Sequence, residues 1–521
     1  MNDKTQLSPG QLEIVTLARH FNDGQYEIAR NLALRMTQSY PKHPFGWKAL
    51  GAILRSIGNV SESLLPLEKA VKLMPKDAEA HNIVGITFRD LGRLEEAKAS
   101  YCQAIVLKSD YAEARSNLGN TLRDLGQLEN AEASYRQAII LKSDYAETYG
   151  NLGNVLRELR RLEGARASYC RAITLNPNYT QAHRSLGVTL RDLGRLDEVE
   201  AHYRDALALK SDCAEEYINL GLLLVDMGRL SDARLLLGSG LGKVEKYKWP
   251  IASVSLIVCW IMGLYPEANT LYKEYAGATP REESKHFRPL QIFFYYIAEL
   301  INYYNTYPAA YKTSGAEVPL IAIGDSHSLA LNNLSFSWLG GAQVSATSRF
   351  VTGLKMFHLA GSTKKYHSIV LSEKLKSLGS NCHLLFAIGE IDCRPDEGIW
   401  KMHLRGGSLL YELIENTVDG YIDWVSKELT GRNFSSITVQ GIPAPNYFSS
   451  DCTSIQMAGF LSMVLAVNKR MEVMALSRGW KFLDIYSATA GEDGLSHGRW
   501  HLDKHHVKPS YYQEATKWIK Q

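Results

Sequence analysis

The chain has 521 residues, 45% of them apolar, with 58 Lys and Arg against 55 Asp and Glu. That length accommodates three domains of ordinary size, and the apolar fraction excludes bulk disorder and a collagen-like fibre. A formal charge of only +3 gives no whole-protein electrostatic case for a nucleic-acid or anionic-membrane partner.

The seven cysteines (102, 170, 213, 259, 382, 393 and 452) are odd in number and form no CxxC pair. They read as reduced thiols, so a cytoplasmic location is expected. Residues 1–10 carry no basic-then-apolar signal. The longest apolar stretch, 251–264, is interrupted by Ser253 and Ser255 and falls short of the ~18 residues a spanning helix needs. No membrane span is expected.

A repeat occupies the first half. Gly51, Gly85, Gly119, Gly153, Gly187 and Gly221 recur at a spacing of 34. A second glycine follows each after seven residues, at 58, 92, 126, 194 and 228, with Arg160 as the exception. Tyr101, Tyr135, Tyr169 and Tyr203 keep the period, as do Ala104, Ala138, Ala172 and Ala206. Within one unit Leu118 and Leu122 form an apolar stripe on a first helix, and Gly119 permits close approach of its partner. Gly126 ends that helix in the left-handed conformation, and Ala131, Tyr135 and Ala138 give the second helix its packing face. Such a hairpin cannot bury its apolar face alone, so neighbours must stack. These residues resemble the tetratricopeptide repeat (TPR), with six copies over about 44–241 and a degenerate copy ending near Pro41.

Periodic polar residues suggest what the stack is for. Arg55, Arg89, Arg123, Arg157 and Arg191 share the period, and acids follow most of them at Asp90, Asp124, Glu158 and Asp192. Asn120 and Asn154 follow the packing glycine and, with Asn117 and Asn151, look like the asparagine ladder of the TPR arm of O-GlcNAc transferases. That resemblance implies a groove whose side-chain amides hold an extended peptide or protein partner. The alternative is a solvated, self-paired surface carried along by duplication.

Residues 246–315 lose the period but remain helical in pattern, with Ile257, Trp260, Ile261 and Leu264, then Leu290, Phe293, Phe294 and Ile297, at helical spacing. A terminal repeat needs an atypical cover, so this segment reads as a cap and linker.

From Val318 the texture changes. Apolar runs at 319–323, 383–388, 436–440 and 480–485 alternate with helix candidates at 409–429 and 455–477, and 511–520 ends the chain as another. Strands separated by helices of this size imply a parallel sheet covered on both faces, with ligands at the carboxyl ends of the strands. Gly324-Asp325-Ser326-His327 follows the first run. The glycine permits a sharp turn that leaves Ser326 exposed, as a nucleophile if a base reaches it or otherwise as part of a helix cap. Near the other end, Asp503 and His506 are three apart, a spacing that lets the carboxylate orient the imidazole. Four histidines (497, 501, 505 and 506) lie close by, but no HExxH or matching cysteine pattern accompanies them, so neither a metal nor another cofactor is expected.

With both motifs in place, residues 316–521 resemble a GDSL/SGNH-type hydrolase domain. The resemblance implies an α/β three-layer, flavodoxin-like fold and a serine esterase or acyl-transfer activity. Ser326 would be the nucleophile, His506 the general base and acid, and Asp503 its orienter. One departure stands out: the family's Gly-x-Asn-Asp motif reads Gly389-Glu390-Ile391-Asp392-Cys393-Arg394 here. Isoleucine at the asparagine position removes a side-chain donor from the oxyanion hole, a loss of roughly 100- to 1,000-fold in turnover. Arg394 is the nearby replacement, or else a salt-bridge partner of Glu390 or Asp392. Gly353 and Asp392 belong to the same candidate oxyanion and substrate loops. His327 either lines the substrate mouth or packs the turn. An ester-bearing small molecule or glycan is the implied substrate. The expected organisation is thus a TPR solenoid over 1–245, a helical cap and linker over 246–315 and the hydrolase-like domain over 316–521. The other class of function is a non-catalytic TPR scaffold whose C-terminal domain only binds a ligand.

Overall fold

The computed structural model describes residues 8–278, 288–311, 318–360, 366–389, 391–393, 398–404, 409–445, 454–499, 501 and 506–521. The chain divides into two compact units, Met1–Leu193 and Gly194–Gln521.

The first unit is a series of antiparallel helix pairs, exemplified by Ala112–Asp124 with Leu128–Leu141 and Ala146–Glu158 with Leu162–Leu175. The 34-residue glycine sits where the paired helix lays a tyrosine across its backbone. A Cβ at Gly119 would lie 2.7 Å from Tyr135 Cε1, and one at Gly85 equally close to Tyr101. Those tyrosines are buried, so glycine and ring form one packing unit. The second glycine of each repeat takes positive φ, +74° at Gly92 and +75° at Gly126. Arg160, which replaces it once, is held at +60° all the same. Neighbouring repeats therefore impose the turn even on a residue with a Cβ.

The second unit begins with three more helices of the same lengths, Leu196–Leu209, Ala214–Asp226 and Leu230–Lys243. Lys248–Ile261 follows, buried along nearly its whole length, and then Tyr265–Tyr275 and Arg288–Thr306. These helices are built into the α/β part of the unit. Trp260 Nε1 donates to the Leu329 carbonyl at 2.9 Å, and Asn332 Nδ2 donates to the carbonyls of Trp260 and Ile261. The buried Asp226 accepts from Thr352 N at 3.0 Å, Thr352 Oγ1 at 3.1 Å and the Tyr366 hydroxyl at 2.6 Å.

The sheet has seven strands: β1 Val318–Gly324, β2 Ser335–Ser337, β3 Gln343–Phe350, β4 His383–Ala387, β5 Ser436–Gln440, β6 Lys481–Leu483 and β7 Ile519–Lys520. Their order is β2-β3-β1-β4-β5-β6-β7. The inner five are parallel, whereas β2 and β7 pair antiparallel at the edges. The sheet is therefore mixed, and the all-parallel expectation holds only for its centre. The helices Leu410–Glu428 and Ser454–Leu476 make the crossovers that parallel neighbours require. The chain ends in a strand rather than the expected helix over 511–520. After Pro509–Glu514 and a 3₁₀ turn, Ile519 pairs with Leu483, and Lys520 Nζ reaches Asp484 at 2.7 Å and Glu472 at 3.3 Å. Strand order reverses on either side of β1, the kind of switch point at which open α/β sheets bind ligands. Among the described residues, no helix is long and apolar enough to cross a membrane.

Candidate functional site

β1 ends at Gly324, and the chain enters the short helix Ser326–Leu329 through Asp325. Gly324 does not take a positive φ. A Cβ there would overlap the Ala387 carbonyl oxygen of β4, so the glycine serves close approach rather than the sharp turn expected from sequence. Asp325 caps the helix: its Oδ1 accepts from His327 N at 3.1 Å and faces His327 Nδ1 at 3.2 Å. Its other oxygen is buried with no hydrogen-bond partner among the described residues.

Ser326 Oγ lies 2.9 Å from His506 Nε2. The two residues are 180 positions apart in the chain, and both are buried, at 4% and 1% exposure. Ser326 is thus covered rather than exposed at the strand end. Part of the cover comes from the helix Arg288–Thr306, whose Tyr296 ring stacks on the His506 imidazole at 3.7 Å between centroids and 16° between planes. A stacked ring fixes the imidazole plane and excludes water from one of its faces. His327 is also buried, its ring 5.3 Å from that of His506, and it lines a narrow cavity with Ala387, Ile388, Gln440, Gly441, Ile442 and Pro443. His327 therefore packs the turn and edges the cavity at once. His497 and His501 are occupied by Ala488 O and Ser496 Oγ respectively.

Two of the expected partners, Arg394 and Asp503, lie outside the described residues, as do Glu390 and the Ile391 side chain. Gly353, at φ +63°, sits in the turn after β3, at the strand end that neighbours Gly324. Asp392 is buried and accepts from Met356 N at 2.7 Å and Phe357 N at 3.3 Å, which ties the β4 loop to the helix Met356–Leu359. Burial pushes its carboxyl up to about 7, while the two N–H groups and Lys355 oppose the rise and Asp325 adds to it. The unfolded chain releases this proton near ~3.9, whereas the folded chain keeps it to about 7. Its contribution to stability is therefore complete below ~4 and is lost as pH rises through 7. Asp392→Asn, which cannot ionise, is expected to gain on the wild type by up to about 1.4 kcal/mol per pH unit across that window. Urea midpoints of the two proteins between pH 4 and 7 measure this; a constant difference would assign the carboxyl an ordinary titration.

In the repeats, the asparagines and arginines face their own neighbours. Asn120 Oδ1 accepts from the Tyr135 hydroxyl at 2.6 Å and from Asn151 Nδ2 at 3.1 Å, and Asn154 Oδ1 accepts from the Tyr169 hydroxyl at 2.8 Å. Arg55 pairs with Asp90, Arg89 with Asp124 and Arg123 with Glu158, at Nε–O distances of 2.8–3.0 Å. Each arginine thus meets the acid of the next repeat rather than its sequence neighbour. The family model for the TPR repeat matches residues 85–122, 119–159 and 153–194. The N-terminal array is a TPR solenoid. Solved structures similar to it include MamA, 26% identical over 30% of this chain and 93% of that one, with a TM-score of 0.29. Another is YrrB, described as a TPR protein with an unusual peptide-binding site, 23% identical over 35% of this chain and 93% of that one, with a TM-score of 0.31. A third is a thermophilic TPR protein of Thermus thermophilus, 22% identical over 34% of this chain and 98% of that one, with a TM-score of 0.30. No curated protein matches the chain.

Asn120 Oδ1 uses both of its lone pairs within the array, and Asn154 Oδ1 uses one. Arg89 and Arg123 are committed to inter-repeat ion pairs, each half-exposed and worth about 1 kcal/mol or less. Arg157 keeps the same register to Asp192, but its Nε is buried with no hydrogen-bond partner among the described residues. With Arg160 and Arg191 it acts on Asp192, whose carboxyl burial pushes up while the arginines pull it down. Sequence reading missed Tyr296. Its helix was recognised as apolar, but nothing local marks which of its rings meets a distant imidazole.

Proposed function

We propose that the chain is a TPR protein that docks a protein or peptide partner through its repeat arm. We propose further that its C-terminal domain performs serine-based acyl transfer of the GDSL/SGNH type on an ester-bearing small molecule or glycan. The observation that carries the second part is the 2.9 Å approach of His506 Nε2 to Ser326 Oγ. In this reading the imidazole takes the hydroxyl proton as Oγ attacks the ester carbonyl, and returns it to the leaving alcohol. The acyl-enzyme then passes to water or to an acceptor hydroxyl. Asp503 would orient the imidazole, while Tyr296 holds its plane. Backbone N–H groups of Ser326 and Gly353, with Arg394, are the proposed oxyanion donors. The five parallel strands follow one another in space as second, first, third, fourth and fifth in chain order, the flavodoxin-like arrangement, which supports the fold assignment.

A second reading makes the protein a scaffold whose C-terminal domain binds a ligand without turning it over. It is the better supported by comparison, since the family match lies wholly within the repeats. The burial of Ser326 and isoleucine at position 391 favour it too. A fluorophosphonate probe separates the two. Labelling of the wild type that disappears in Ser326→Ala is expected of an activated serine. Equal labelling of both, or of neither, would leave the scaffold as the function.

A further inference from the structure

A cavity of about 1060 Å³ lies within the second unit, away from Ser326. Its inner wall is apolar, built from Val225, Ile261, Phe350, Ile369 and Val370, and two cations project among these residues: Arg349 from β3 and Lys374 from the helix Tyr366–Lys376. We propose that this cavity binds a small molecule bearing a phosphate group, with the phosphate held between Arg349 and Lys374 and an apolar body against the inner wall.

The charge arrangement calls for such a ligand. The Arg349 side chain has neither a hydrogen bond nor an ion pair to any described residue. Among the described residues, Lys374 Nζ donates to the Val225 carbonyl alone, at 3.1 Å. Burial pushes the Lys374 ammonium down to about 8; Asp226 opposes that fall and Arg349 adds to it. Two cations thus repel one another beside an apolar wall, and Asp226, which also lines the cavity, has both oxygens engaged by Thr352 and Tyr366. The other acids lining the cavity are exposed at its rim: Asp197, Glu198, which pairs with Arg195, and Glu373, which pairs with Lys376. An anion entering past them would meet the guanidinium fork and the remaining ammonium N–H groups. A phosphate monoester brings a charge of about −1.5 to −2 and three terminal oxygens to these two cations, whereas a carboxylate brings one charge and two oxygens. A volume near 1000 Å³ suits a ligand of nucleotide size.

Calorimetric titration of the full chain with phenyl phosphate, inorganic phosphate and benzoate tests this, independently of any role for Ser326. Phenyl phosphate is expected to bind best. Arg349→Met and Lys374→Met should each weaken it by roughly tenfold or more, and Arg349→Lys should recover part of the loss. Because the bound anion favours the ammonium form, binding at pH 8 should take up about half a proton, and that uptake should vanish in Lys374→Met. The unliganded Arg349→Met protein should melt no lower than the wild type, since a repulsion has been removed. Benzoate binding as tightly as phenyl phosphate would overturn the choice of phosphate. Absence of phenyl phosphate binding, or variants that bind it like the wild type, would overturn the site.

Discussion

Gly324→Ala is expected to lower the stability of the α/β part of the chain by roughly 3 kcal/mol or more, beyond the usual cost of an extra methyl in a packed core. The reason lies in the sheet rather than in the turn. β1 is an interior strand, pairing with β3 on one side and β4 on the other, and Gly324 is in register with Phe350 and Ala387. The added Cβ would overlap the Ala387 carbonyl oxygen, and a backbone oxygen within a ladder cannot rotate away as a side-chain tip can. Relief requires parting β1 from β4, and that displaces Asp325 and Ser326 with the strand. Gly379→Ala is the control, because nothing lies within 4 Å of its Cβ position. Urea unfolding of the two variants measures the contrast. Equal midpoints would mean that the strands have room at this point, and that the glycine after β1 serves some purpose other than close approach.

The same glycine shows what could be read from the sequence and what could not. Its presence before Asp-Ser was visible, but its reason was not, since close approach depends on a strand some 60 residues later. In the repeats the reverse holds. Glycine and tyrosine recur at one spacing, and the contact between Gly119 and Tyr135 is local to a single hairpin, so a pattern in sequence maps directly onto packing. The strands were legible where they are continuous apolar runs buried on both faces, as in β4, all of whose residues are buried. β3 was missed because Gln343–Phe350 alternates buried and partly exposed positions, its polar residues interrupting any run. β7 was too short to announce itself. At the site, Ser326 and His506 stood out through short motifs, but the burial of the serine did not. Part of the cover is Tyr296, stacked on the imidazole that faces the serine, and the segment that supplies this ring reads from sequence only as a cap and linker.

That cover sharpens the test of the proposed chemistry. If Ser326 is the nucleophile, His506→Ala is expected to lower turnover of 4-nitrophenyl acetate by roughly 10³-fold or more, because the hydroxyl then has no group to receive its proton. Ser326→Ala should fall as far, and the double variant scarcely further, since the two residues act as one unit. Tyr296 is a positioning residue in this scheme, stacked on the imidazole with no step of its own. Tyr296→Phe keeps the ring and should retain turnover. Tyr296→Ala frees the imidazole to leave the plane that faces Ser326 Oγ and should lower kcat by roughly tenfold, with KM little changed. A purely structural tyrosine would give a different pattern, in which stability falls while kcat per folded molecule stays constant. Turnover in His506→Ala equal to that of the wild type would mean that the 2.9 Å contact is a buried polar pair with no part in acyl transfer, and the repeat arm would then carry the function.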